Sequence, residues 1–321
     1  MPTDRPRILV TDHLEPSAVD RLRTVGEVTV IERCDEPQLA SMIREFDALV
    51  VRTYTRVTGE VLARAGRLRV IGRAGVGIDN IDVQAARKKG ITVVHTPAAA
   101  TEAVADLTVG LIIDLHRSIT RTDAMIRAGR FQEARNKWLA TELSELTLGI
   151  IGLGRIGKAV ARRCRHGFKM PVIYNDIVDP GRLDFTATRV ELEELLRRAD
   201  VISLHVPLTP KTRQAISRDT LELVKSSSML VNTARGAVID SLALAASLGD
   251  GSLRGAGLDV VDPEPLPPDH PLLAAHNVVF TPHIGARTIA AQERMSAVVD
   301  DVIAVLTGKT PRFPCTDQTP C

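Results

Sequence analysis

A chain of 321 residues with 44% hydrophobic content can bury a sizeable core, and its length suits two domains. Its 41 basic and 39 acidic residues nearly cancel, and aromatics make up only 3%, which argues against a nucleic-acid binder with a basic face and stacking rings. No apolar stretch approaches the roughly 18–20 residues of a membrane span, and the opening MPTDRPRILV lacks a signal-peptide core; a cytoplasmic protein is expected.

In chain order, short β-branched runs alternate with helical spacing. RILVT (7–11), EVTVIE (27–32), ALVVRT (48–53), LRVIGR (68–73) and ITVVHT (91–96) read as strands, with helices over Ser17–Thr24, Glu36–Glu45, Gly59–Ala65 and Val83–Lys89 between them. Such alternation predicts a parallel sheet covered on both faces. A long helix is expected from about Glu102 to Ala128, with Leu107, Leu111, Leu115 and Ile119 on its apolar face. The alternation then resumes through TLGIIG (147–152), PVIYND (171–176), DVISLHV (200–206), SMLVNT (228–233), GAGLDV (255–260) and NVVFTP (277–282). Six strands with intervening helices match one doubly wound nucleotide-binding sheet. A closing helical run, 287–306, is too short to be a domain and is expected to return to the first one. The fold class is therefore α/β, with a Rossmann-type domain (100–286) inserted into a discontinuous flavodoxin-like domain (1–99 and 287–321). Cys34, Cys164, Cys315 and Cys321 form no CxxC and no cluster with histidine, so no metal site is expected. Cys315 and Cys321 flank the tail CTDQTPC, which could close a small loop under oxidation; a loose, reduced tail is expected.

LGIIGLGRIGKAVARR holds Gly152-x-Gly154-x-x-Gly157. A lone GxGxxG is weak, but here it leaves an apolar strand and opens a helix, which is the context the motif needs. The first glycine permits the turn, the second lets backbone approach a pyrophosphate, and the third lets helix and strand pack closely. The helix N-terminus then faces the phosphates. At the end of the next strand stands Asp176, whose carboxylate can accept from both ribose hydroxyls and repels a 2′-phosphate, favouring NAD over NADP. The bland reading of Asp176 is a turn cap.

Chemistry is expected at the C-terminal ends of the later strands. There VNTARGAVID places Arg235, LDVVDPEP places Glu264, and NVVFTPHIGA places His283. Each taken alone is most often a surface or structural residue. Together they can divide the oxidation of a 2-hydroxy acid. Arg235 would hold the carboxylate and polarise the carbonyl through its planar fork. His283 would take the hydroxyl proton, and Glu264 would fix the histidine tautomer.

With GRAGVGIDNID (72–82), TEAVADLTVGLI (101–112), GIIGLGRIGKAVA (149–161), LHVPLTPKTR (204–213), VNTARGAVID (231–240), AGLDVVDPEP (256–265) and TPHIGART (281–288), the sequence resembles the D-isomer-specific 2-hydroxyacid dehydrogenases from about residue 7 to 308. The resemblance implies catalytic Arg235, Glu264 and His283. It implies NAD contacts at Arg155, Ile156, Asp176, Pro207, Thr212, Thr233 and Asp259 beside the glycines, and a homodimer formed largely through the NAD-binding domains.

For the substrate, LVVRTYTRVTGEVL and GRAGVGIDN are similar to D-3-phosphoglycerate dehydrogenases, which implies that Arg52 and Arg73 face a phosphate and that Val76 and Gly77 also bind substrate. ARNKWLATEL resembles the same subgroup, with Arg135 reaching a neighbouring subunit. TPAAATEAVADL departs from it by lacking an Asn after Thr-Pro, and is closer to glyoxylate and hydroxypyruvate reductases. The chain ends near residue 321, so serine feedback through a C-terminal regulatory domain is not expected. The leading expectation is oxidation of D-3-phosphoglycerate; the alternative is a glyoxylate or hydroxypyruvate reductase. Formate dehydrogenases are excluded because they carry glutamine where this chain has Glu264. An NAD(H)-sensing protein like the C-terminal-binding corepressors is the reading from another class, disfavoured by the missing disordered tail.

Overall fold

The computed structural model of the chain describes residues 5–316. Two compact units emerge: the chain up to Ala100 together with the chain from Arg287, and Thr101–Ala286.

The first unit is built on five parallel strands, β1 (Arg7–Val10), β2 (Glu27–Val30), β3 (Ala48–Val51), β4 (Val70–Arg73) and β5 (Thr92–His95), in the order β2-β1-β3-β4-β5. That is the flavodoxin-like order. β3 and β4 are buried throughout, as expected of Val/Ile-rich strands with helices on both faces. Leu9, Leu39, Ile43, Leu49, Leu62 and Ile71 centre the core. The helix Val298–Leu306 lies against β4, where a Cβ on Gly72 would fall 2.6 Å from Val302 Cγ2. Glycine there lets helix and strand meet backbone to side chain. Where the described residues end, the Cys315 N–H donates to the Val93 carbonyl at 2.7 Å and Pro314 bridges Val94. The edge of β5 offers unpaired backbone groups, and this segment satisfies them. Cys321 lies outside the described residues.

The second unit holds β6 (Leu148–Ile151), β7 (Val172–Asn175), β8 (Thr188–Arg189), β9 (Val201–Leu204), β10 (Met229–Asn232), β11 (Gly255–Leu258) and β12 (Val278–Phe280). All pair in parallel, in the order β12-β11-β10-β9-β6-β7-β8. The order reverses between β6 and β9, so the crevice for a ligand opens at their carboxyl ends. The two-residue β8 was not expected, because Thr188–Arg189 is too short to carry a periodic pattern.

The helix expected over 102–128 is two helices, Thr101–Arg117 and Ile119–Arg127, parted at Ser118 in the left-handed region (φ 52°). Asp114 competes for the chain there: its carboxylate accepts from the Thr120 N–H at 2.8 Å and from the Thr120 hydroxyl, starting a new helix. Ile119 is consequently 51% exposed and not part of the buried face. The closing run is likewise two helices, Ile289–Ser296 and Val298–Leu306, joined at Ala297. Among the described residues, no helix is long and apolar enough to cross a membrane.

Candidate active site

β6 ends into the glycine turn. Gly152 has φ 92°, and a Cβ there would stand 2.7 Å from the His205 carbonyl oxygen. A Cβ on Gly157 would stand 2.1 Å from the Gly152 carbonyl oxygen, whereas one on Gly154 would meet nothing within 4 Å. Two glycines are thus required by the chain itself. The third leaves open space over the start of the helix Arg155–Gly167, where Arg155 and Ile156 form the first turn. A bare backbone, an open approach and a helix N-terminus fit the pyrophosphate of a dinucleotide.

Asp176 follows β7 and is half-buried. Its Oδ2 accepts from the Leu153 N–H at 2.6 Å and its Oδ1 from the Val178 N–H at 2.9 Å. The carboxylate does cap a turn, and it also keeps acceptor capacity, since each oxygen has a further lone pair for a ribose hydroxyl. Beyond β9 the loop Pro207–Thr212 closes on itself, the Thr212 hydroxyl donating to the Pro207 carbonyl at 2.6 Å. Thr233, buried at the end of β10, shares a hydrogen bond of 2.9 Å with Thr108.

Arg235 comes three residues after β10 ends, and its carbonyl accepts from the Asn232 amide at 2.9 Å. Gly236 beside it packs so tightly on Val261 that a Cβ would lie 2.0 Å from that residue's carbonyl carbon. Arg235 therefore starts from a fixed backbone, and its Nη1 donates to the Ala234 carbonyl at 2.7 Å.

β12 ends into Thr281–Gly285. His283 is held at φ 53°, a region unusual for a residue with a Cβ. Asp259, 3% exposed at the end of β11, supplies the hold. Its Oδ1 accepts from the Thr281 hydroxyl (2.6 Å) and the Ile284 N–H (2.8 Å), and its Oδ2 from the Gly285 N–H (2.9 Å). Its carbonyl accepts from the His283 N–H at 2.8 Å. Expected among the cofactor contacts, Asp259 here binds the turn that carries His283.

The His283 ring reaches Glu264, with Nδ1 2.8 Å from Oε1. A carboxylate only accepts, so Nδ1 carries a proton, and in a neutral ring Nε2 then holds the lone pair that can accept one. Both side chains retain some surface, 27% and 38%, so the pair can meet a ligand.

In the first unit, Arg52 Nη1 donates to Gln292 Oε1 at 2.6 Å and to the His13 carbonyl at 3.3 Å. Burial foremost, with the nearby Arg287 charge opposing Asp12, holds the Arg52 guanidinium below the usual arginine range. Asp12, buried, accepts from the Arg52 N–H at 2.7 Å, and its desolvation raises it above the ordinary carboxylate value. Arg73 ends β4 and is 7% exposed. A Cβ on Gly75 (φ 153°) would sit 1.5 Å from the Arg73 Nη1, so glycine makes room for the guanidinium. Val76 and Gly77 continue the same loop.

Sequence reasoning missed Asp12, Gln292, Asn232 and His205. Asp12 and Asn232 stand at strand ends, where a search for polar residues would have found them; Gln292 is 240 residues from Arg52, and nothing local announces it.

Residues 109–285 match the family model described as "D-isomer specific 2-hydroxyacid dehydrogenase, NAD binding domain". The chain is 46% identical over 301 residues to a D-3-phosphoglycerate dehydrogenase of Methanocaldococcus jannaschii, covering 92% of this chain and 56% of that protein. It is 40% identical over 317 residues to a glyoxylate reductase of Thermofilum pendens, covering 96% and 93%. The chain thus spans about half of the first relative and nearly all of the second. A crystal structure of D-lactate dehydrogenase from Aquifex aeolicus complexed with NAD and lactic acid superimposes with a TM-score of 0.86 at 32% identity, covering 94% of this chain and 96% of that one. The chain belongs to the D-isomer-specific 2-hydroxyacid dehydrogenases, and its second unit is the NAD-binding domain of that family.

Proposed function

We propose that the protein interconverts a D-2-hydroxy acid and its 2-keto acid, most specifically D-3-phosphoglycerate and 3-phosphohydroxypyruvate. The observation that carries the acid–base part is the Glu264–His283 pair at 2.8 Å. In oxidation, His283 Nε2 takes the proton of the substrate hydroxyl while Glu264 accepts from Nδ1–H and stabilises the imidazolium. In reduction the same proton returns. Arg235 holds the carboxylate and polarises the carbonyl. Val76 and Gly77 offer backbone N–H groups to the carboxylate, and Asp176 takes the ribose hydroxyls of NAD. The bound nicotinamide supplies the hydride acceptor or donor.

The phosphate assignment rests on Arg52 and Arg73. A guanidinium withdrawn from water and braced by neutral oxygens favours an anionic ligand, and Arg52 is held so by Gln292 and His13. The second reading, a glyoxylate or hydroxypyruvate reductase, draws support from the near full-length match to the Thermofilum pendens protein. We also assign a homodimer through the NAD-binding domains. Ile119, Ile126, Phe131 and Leu139, 48–99% exposed on one stretch of chain, fit a covered face. The buried thiols of Cys34 and Cys164 are free, which fits the reducing cytoplasm.

Steady-state NADH oxidation by 3-phosphohydroxypyruvate, hydroxypyruvate and glyoxylate, repeated with Arg52→Ala, decides the substrate. A preference for the phosphorylated acid that collapses by roughly 10²-fold in the variant is expected, in line with loss of a charge-assisted pair. Equal use of the three acids, indifferent to Arg52, overturns it in favour of the reductase.

A further inference from the structure

We propose that His95 is a positioning residue for substrate: its ring holds the loop after β4 so that the Val76 and Gly77 N–H groups point at the substrate carboxylate. The inference rests on the assignment of those two residues to the carboxylate made above.

His95 ends β5 as the register partner of Arg73, which ends β4. Three hydrogen bonds fasten the loop between them. The Ala74 N–H donates to the Val51 carbonyl at 2.9 Å, and the Thr96 N–H to the Gly75 carbonyl at 3.1 Å. His95 Nδ1 lies 2.9 Å from the Val76 carbonyl oxygen. A carbonyl only accepts, so Nδ1 carries the hydrogen and donates it to Val76. The ring cannot drift, because His95 is 8% exposed and its own backbone N–H donates to the Phe313 carbonyl at 3.2 Å.

Two successive carbonyls, of Gly75 and Val76, are thus drawn toward the end of β5. In a trans peptide the N–H points opposite to the carbonyl of the same plane. The Val76 and Gly77 N–H groups are therefore turned together, away from β5. Successive N–H groups presented on one side make an anion-binding concavity. The Arg73 guanidinium lies along the same loop, in the space that the missing Gly75 Cβ would fill, and adds positive charge beside it. Without the His95 bond the Val76–Gly77 peptide is free to rotate, and one of the two donors is lost from the set.

The test is kinetic, on the whole enzyme with saturating NADH, using His95→Leu and His95→Asn. His95→Leu removes the donor; the Asn amide can reach the same carbonyl. The expected result is a KM raised about tenfold by Leu for both hydroxypyruvate and glyoxylate, as for one lost hydrogen bond, with kcat within about twofold and the KM for NADH unchanged. Asn restores the KM. Because every 2-keto acid carries the carboxylate, the factor is the same for both substrates, unlike the Arg52 effect. An unchanged KM in Leu overturns the inference, and so does a loss of kcat that Asn does not rescue. His95→Phe, which keeps the ring without a donor, gives the same reading if Leu does not fold. Amide resonances of Val76 and Gly77 in the wild-type NADH complex, titrated with oxamate, separate the two levels. If they stay still, the carboxylate assignment itself fails. If they shift and His95→Leu binds oxamate as tightly as wild type, only the role of His95 falls.

Discussion

Two turns of the second unit use one device for opposite ends. In each, a carboxylate at a strand end accepts the backbone N–H groups of the turn on a neighbouring strand. Asp176 holds Leu153 in the glycine turn, and Asp259 holds Ile284 and Gly285 in the His283 turn. The glycine turn reaches its positive φ at Gly152 at no steric cost and leaves space above Gly154. The other turn puts a histidine at φ 53°, which costs on the order of 1–3 kcal/mol. Its carboxylate is correspondingly buried and committed to three donors, where Asp176 accepts one backbone N–H on each oxygen. A turn that must receive a ligand is made bare. A turn that must aim a ring is made rigid, and the strain is offset by charge-assisted hydrogen bonds.

The largest test of this contrast removes what the rigid turn presents. His283→Ala is expected to lower kcat by roughly 10²–10⁴-fold while NADH binding, read by fluorescence titration, stays as in wild type. Undiminished turnover would remove His283 from the proton transfer and leave the rigid turn without a purpose. The carboxylates should then separate by readout. Asp259→Asn turns an amide N–H toward N–H donors, so the turn loosens: kcat falls by about 10²-fold, as for a misplaced reacting group, and Tm drops by roughly 5 °C. Asp176→Ala should instead raise the KM for NAD about tenfold, weaken NADP less, and spare kcat at saturation. Equal weakening of both cofactors would confine Asp176 to holding its turn.

Much of this plan was legible before any coordinates. Val- and Ile-rich parallel strands advertise themselves, because both faces are buried and the run is continuous. The glycine spacing fixed where backbone must be bare. Glu264 and His283 could be set at neighbouring strand ends, and the fold brings them to 2.8 Å. Other features left no local mark. The break at Ser118 comes from Asp114 reaching six residues forward to Thr120, which interrupts a helical pattern that continues unbroken in the sequence. Asp259 stands 26 residues from Gly285 and Gln292 240 from Arg52. Such bonds depend on which strands become neighbours, and residue type alone does not say so.

The smallest expected effect concerns the bare turn. His205 follows β9, and its carbonyl backs Gly152. Its Nε2 shares a hydrogen bond of 2.8 Å with Ser203, while Nδ1 is enclosed without a hydrogen-bond partner. Burial disfavours the charged ring and pushes its pKa down to about 3. In the unfolded chain the ring titrates near 6.5. Above that pH neither state binds the proton and stability is full. As pH falls from about 6.5 toward 3, the unfolded chain binds a proton that the folded one refuses, and stability is lost. At pH 5.5 the loss is on the order of 1 kcal/mol, or roughly 3 °C in Tm for a unit of this size. His205→Gln keeps a partner for Ser203 and does not titrate, so its Tm should fall by about that much less than wild type between pH 7.5 and 5.5. Identical acid sensitivity in the two proteins would mean that the ring is solvated in the fold. The bare turn would then lean on a histidine that water can reach, and the contrast with the dry, three-bonded floor beneath His283 would sharpen.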